Sequence, residues 1–141
     1  MRPYQREHLR LRERVRLAIE IVAAYVQARR ALRAQAPIAS VLLTLRAQAP
    51  PTVRAEDAVT LEEAYHLGNA VTRMLSLLPG DTRCLARSLV LTRLLARRGI
   101  RAKLVIGARA APDFLAHAWV EHGGRAVLSP GDGSFGRLVE L

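Results

Sequence analysis

Helical periodicity runs through the chain as far as Gly99, and strand alternation takes over after it. Across residues 4–34, Leu11, Val15, Ala18, Val22 and Tyr25 recur at helical spacing, while Arg12, Glu13, Arg16 and Glu20 hold much of the other side. That pattern predicts one long amphipathic helix packed through the apolar stripe. Pro37 ends it. A second apolar piece, IASVLLTLR, runs on to the Pro50-Pro51 pair, which no helix interior accepts. A third helix is expected from Thr60, where Thr60 and Glu63 have capping-box spacing. Leu61, Ala64, Leu67, Val71, Leu75 and Leu78 form its apolar side, and Pro79-Gly80 breaks it. A fourth is expected to start at Asp81 or Thr82, either of which can cap. It ends at Arg97-Arg98-Gly99, with cations in the last turn and a glycine past the end.

In RAKLVIGAR, Ala102, Leu104 and Ile106 alternate with Arg101, Lys103 and Val105, which reads as a strand with one dry face. LAHAWVEH is a second strand, Gly123-Gly124 a two-residue hairpin signal, RAVL a third strand, and SPGDGSFG a loop. Helices first and strands last imply an α+β fold, with a small antiparallel sheet against the helices. The expected organisation is a helical region over residues 1–59 and a core over 60–141, together one compact domain.

Composition narrows the setting. A chain of 141 residues, half of it apolar, is long enough to bury one core. A single cysteine excludes an internal disulfide framework and fits a reducing compartment. The longest apolar stretch, Leu17 to Val26, is interrupted by Glu20 and is too short for a bilayer. The expectation is a cytoplasmic protein without membrane association. The formal charge of +10 comes from arginines spread over nearly every segment, not from one stripe with interleaved aromatics. This makes nucleic-acid binding a lesser reading, testable by salt dependence.

The candidate chemistry lies at Cys84, in the first turn of the fourth helix. Unpaired backbone N–H groups and the helix dipole favour an anion there, and Arg83 and Arg87 add positive charge. A free cysteine is more often an inert core residue. His117 changes the balance: a histidine on a strand packed against that helix start is what a thiolate–imidazolium pair needs. If Gly123-Gly124 is a two-residue turn, register pairs His117 with Pro130. Asp132 then falls on the histidine's face, and Ser129 on the wrong face unless a bulge intervenes. Asp132 is therefore the candidate orienting acid. Trp119 shares the face of His117 and is a candidate wall of the substrate cleft, and Arg87 a candidate substrate contact. His8, His66 and His122 read as surface residues. No metal-ligand spacing is present.

The strings around these residues carry more. CLARSLVLTRLLARRGIRAKLVIGAR followed by FLAHAWVEHGGR resembles the leader peptidases of lasso-peptide biosynthesis, a branch of the transglutaminase-like, papain-related cysteine enzymes. The resemblance rests on Cys84, Leu85, Arg87, Ser88, Leu89, Gly99, Ile100, Leu104 to Gly107 and Ala116 to Glu121, and covers about residues 60–132. It implies a minimal transglutaminase-like fold and a cysteine endopeptidase with a Cys84–His117–Asp132 site and no cofactor. The implied substrate is a precursor peptide, cut between leader and core. A separate ATP-dependent cyclase then closes the macrolactam. The helical character of residues 1–59 implies the split form, in which a separate protein recognises the leader. One departure stands out: relatives carry an acidic residue about where this chain has Ser129. The rival reading is a non-catalytic transglutaminase-like module that binds peptide.

Overall fold

The computed structural model describes residues 3–77, 84–111 and 113–141, with side chains from residue 10 onward. Among them the chain forms four helices, α1 (Pro3–Arg33), α2 (Ile38–Arg46), α3 (Ala58–Leu77) and α4 (Cys84–Arg97). Four strands follow, β1 (Lys103–Arg109), β2 (Leu115–His122), β3 (Arg125–Ala126) and β4 (Gly136–Glu140). The fold is α+β, with a four-stranded antiparallel sheet in the order β3-β2-β1-β4.

Helix α4 is the centre. Ala86, Leu89, Val90, Leu91, Leu94 and Leu95 are all buried, so it is apolar nearly all round. A helix of that kind must be enclosed, and α1, α2, α3 and the sheet enclose it. Its end follows a Schellman pattern: the Gly99 N–H donates to the Ala96 carbonyl and the Ile100 N–H to the Leu95 carbonyl, both at 3.0 Å. Gly99 takes φ +71°, which a side chain would strain. Leu104 and Val120 turn the inner face of the sheet onto the same core.

The first helix departs from expectation. Ile21, Ala24, Tyr25 and Ala28 face the core, and the stripe through Leu11, Val15 and Val22 is exposed. The reason is electrostatic as well as apolar. Glu20 takes a paired contact from Arg98, at 3.0 and 2.9 Å, and Gln27 accepts from Arg93 at 2.6 Å. Of the predicted polar side only Glu20 turns inward, while Arg12, Glu13 and Arg16 stay exposed; of the predicted stripe Tyr25 is buried.

Helix α3 begins two residues earlier than expected, and its capping box is Asp57–Thr60. The Thr60 N–H donates to Asp57 Oδ1 at 2.9 Å, and the Asp57 N–H returns to the Thr60 hydroxyl at 3.0 Å. Glu63 instead pairs with Arg54 at 2.6 Å. Leu78, Pro79-Gly80, Asp81, Thr82 and Arg83 lie outside the described residues, as does the side chain of His8.

In the sheet, Gly123 and Gly124 both take positive φ, and the hairpin pairs His122 with Arg125 and Glu121 with Ala126. Then the register breaks. Val127 and Leu128 both direct their N–H groups to the Val120 carbonyl, at 2.8 and 3.4 Å, which is a bulge. β3 is consequently two residues long rather than four. The chain leaves the β2 edge, crosses β2 and β1, and pairs as β4 on the far side of β1. The loop expected from the sequence ends at Gly136, and the pattern assigns no element to residues 137–140, which make up the rest of that last strand. His122, expected on the surface, is buried: its Nδ1 donates to the Arg101 carbonyl at 2.6 Å, and its Nε2 lies 3.1 Å from the Thr60 hydroxyl. The Gly123-Gly124 turn itself is exposed, but the His122 side chain points back from the end of β2 to Thr60 near the start of α3.

Gly68 of α3 admits this arrangement. A Cβ there would stand 2.3 Å from the carbonyl oxygen of the bulged Val127. Gly68→Ala gains helix propensity but must displace the bulge, and overpacking of this kind outweighs the gain. The expected result is a loss of roughly 2 kcal/mol in stability by urea unfolding, by the overpacking range.

Candidate active site

The break in β3 decides what happens at Cys84. Beyond the bulge, the outer edge of β2 has no neighbouring strand, and the Ala118 N–H would be left unpaired. It donates instead to Cys84 Sγ at 3.3 Å. The thiol thus sits at the first residue of α4, half-buried, against the free edge of the strand that carries His117. The Cys84 carbonyl accepts from the Ser88 hydroxyl at 2.8 Å, which ties down the first turn.

The imidazole of His117 is held on three sides. Its Nε2–H donates to the Ser129 carbonyl at 2.8 Å. A carbonyl only accepts, so Nε2 carries the proton, and in the neutral ring Nδ1 is left as the base. Trp119 stacks against the ring, with centroids 5.9 Å apart and planes at 26°. Phe135 meets it at 5.2 Å and 37°. Trp119 is only 3% exposed and lies over Gly107, where a Cβ would come within 2.9 Å of the indole. Its ring therefore supports the imidazole from the sheet. Arg87, the candidate substrate contact, is half-buried on the turn after Cys84.

The place expected for Asp132 is held by the Ser129 main chain. The bulge shifts register beyond Ala126, so the hairpin pairing that brought Asp132 under the histidine no longer applies. Asp132 does a different job. Its carboxylate accepts from the Ser134 N–H at 2.9 Å and from the Ser134 hydroxyl, and meets Arg109 at 3.4 Å. Arg109 also lies 5.3 Å above the Phe135 ring. Asp132 and Arg109 thus fasten the loop that presses Phe135 onto His117. Main-chain groups such as the Ser129 carbonyl and Ala118 N–H leave no mark in a sequence. Phe135, a lone aromatic in a glycine-rich loop, was the one signal that could have been read.

A cleft of about 650 Å³ opens elsewhere, between residues 99–103 and the Gly123-Gly124 turn. Three of the cations that line it, Arg46, Lys103 and Arg137, are already engaged. Arg46 donates to the Ala102 and Leu141 carbonyls, Lys103 pairs with Glu140, and Arg137 with Glu121 and Glu140. Among the described residues no group of His, Cys, Asp and Glu is placed to hold a metal ion, and no helix is long and apolar enough to cross a membrane.

The Ser134 hydroxyl and N–H, with Arg109 behind them, hold the Asp132 carboxyl below its ordinary range. A depressed carboxyl stabilises the fold fully above the ordinary carboxylate range. That contribution is lost as pH falls through the depressed value. Asp132→Asn keeps an acceptor but not the charge. Its thermal midpoint should lie slightly below the parent's near neutrality and converge with it in acid, read by melting curves across the two conditions.

Compared with known proteins, the chain matches the transglutaminase-like superfamily over residues 22–140, from within α1 to the end of β4. No curated protein and no solved structure matches it. The match spans the thiol, the imidazole strand and the loop between β3 and β4, and the chain belongs to the transglutaminase-like superfamily.

Proposed function

We propose that this protein is a cysteine endopeptidase that removes the leader from a ribosomally made lasso-peptide precursor. The observation that carries the reading is the 3.3 Å contact of the Ala118 N–H with Cys84 Sγ, which sets the sulfur beside the strand position of His117. The superfamily supports cysteine chemistry, and the strings around Cys84 and His117 supply the narrower resemblance.

In this mechanism His117 Nδ1 takes the thiol proton, and the thiolate attacks the scissile carbonyl. The carbon–sulfur bond forms, and the Cys84 backbone N–H helps hold the oxyanion. The C–N bond then breaks as the imidazolium protonates the departing amine. Water, deprotonated by the same imidazole, hydrolyses the thioester and restores the thiol. The Ala118 N–H favours the thiolate by donating to it. The Ser129 carbonyl keeps the imidazole in one tautomer, as an acid would, but supplies no full charge to the imidazolium. No cofactor enters. The partners are the precursor peptide, a separate leader-recognition protein and an ATP-dependent cyclase, all cytoplasmic.

The uncharged orienting group favours one rival, a transglutaminase-like module that binds peptide without cutting it. The two part experimentally. Cys84→Ala should lower cleavage of the precursor, assayed with the leader-recognition protein by mass spectrometry, by roughly a thousandfold or more while leaving circular dichroism unchanged. Retained cleavage would sink the proposal. The rate of Cys84 alkylation by iodoacetamide near neutral pH should fall about tenfold in His117→Ala. Equal rates would favour the binding module.

A further inference from the structure

The helix α1 carries an apolar seam that the fold leaves uncovered. Leu11, Val15, Ile19, Val22 and Val26 follow one another at spacings of four, four, three and four residues. All five are exposed, Ile19 to 64%. At 1.5 Å per residue the seam runs about 22 Å along one side of the helix. Scattered apolar residues on a surface are ordinary, but five in a line form a contiguous patch. The helix does not need that face for its own packing, because Ile21, Ala24, Tyr25 and Ala28 already anchor it to α4.

Among the residues whose side chains are described, the borders of the seam are basic. By helical spacing Arg12, Arg16 and Arg30 run along one side and Arg14 and Arg29 along the other, and all are exposed. Of the acids described on α1, Glu13 points away from the seam, and Glu20 is held by Arg98. A second copy of the chain would set arginine rows against arginine rows in either orientation, in a molecule already at +10. Like charges across an interface oppose that pairing, and acidic borders complement it. The width of the seam also discriminates. A narrow line at near-heptad spacing fits the ridge of another helix. A helix lying in a lipid surface spreads a broader apolar face, usually with aromatics, and this seam has none.

We propose that α1 is a docking helix for an acidic amphipathic α-helix of a partner protein, apolar seam to apolar seam, with the partner's carboxylates facing the two rows of arginine. The inference goes beyond the proposed peptidase activity: it uses no residue of the Cys84 site and holds whether or not the chain cleaves peptides.

The test uses the full chain and a labelled synthetic helix of about four heptads, with Ile and Leu at a and d and Glu at e and g. Fluorescence anisotropy should show saturable binding. It should weaken as NaCl rises from ~50 to ~500 mM and be absent for the same peptide carrying Lys in place of Glu. Two variants at exposed positions probe the two halves of the claim, Val15→Gln with Ile19→Gln and Arg12→Glu with Arg16→Glu. With unchanged circular dichroism, each should weaken binding by about tenfold or more. Four outcomes overturn the proposal: no binding of the acidic peptide, binding unchanged in either variant, a parent dimer in sedimentation that the seam variant dissolves, or co-sedimentation with phosphatidylglycerol vesicles in preference to the peptide.

Discussion

The burial of most of α4 is the constraint from which the rest of the molecule follows. A helix with buried leucines and valines on most of its faces leaves only Arg97 fully exposed and a few residues such as Arg87 and Arg93 half-exposed. Three helices and a sheet must close over it. The position of its first residue is fixed in consequence. Once Leu104 and Val120 pack on the middle of the helix, its start comes to the outer edge of β2. The thiol therefore owes its place to core packing well away from it.

Sheet architecture completes what the helix begins. An unpaired strand edge is usually a liability, covered or twisted away. Here the bulge at Val127 and Leu128 uncovers one stretch of β2, and the sulfur occupies it. The same bulge releases the chain to cross the sheet to β4, and on that crossing the Ser129 carbonyl and the Phe135 ring meet His117. One local irregularity thus serves both partners of the pair.

Much of this was legible in the sequence, and the losses have physical causes. The four helices, the β2 hairpin and the positions of Cys84 and His117 follow from period, turn glycines and helix-end signals. The side of α1 that faces inward does not. The decision falls to contacts distant in sequence, Glu20 with Arg98 and Gln27 with Arg93, a tertiary matter. The Asp57 cap was missed because Thr60 and Glu63 offered an equally good local pattern. The orienting group of His117 was missed because a two-residue turn fixes register only until the first bulge, and a main-chain carbonyl has no letter of its own. His122 shows that a residue beside an exposed turn can still be buried, because its side chain points back to Thr60 and the Arg101 carbonyl, neither of them near in sequence.

Holding an imidazole by a peptide oxygen has an evolutionary corollary. Position 129 needs no acidic side chain for this contact, since every amino acid brings the same carbonyl, and the Ser129 hydroxyl is left to accept from the Gly131 N–H at 3.2 Å. The demand moves to whatever bends the chain along this path. Gly131 does so, with φ +84° and the Phe135 ring 2.8 Å from where a Cβ would stand. Drift among descendants should therefore be confined to turn-forming side chains at the residue that touches the histidine and arrested two residues later, at one that does not bond to it.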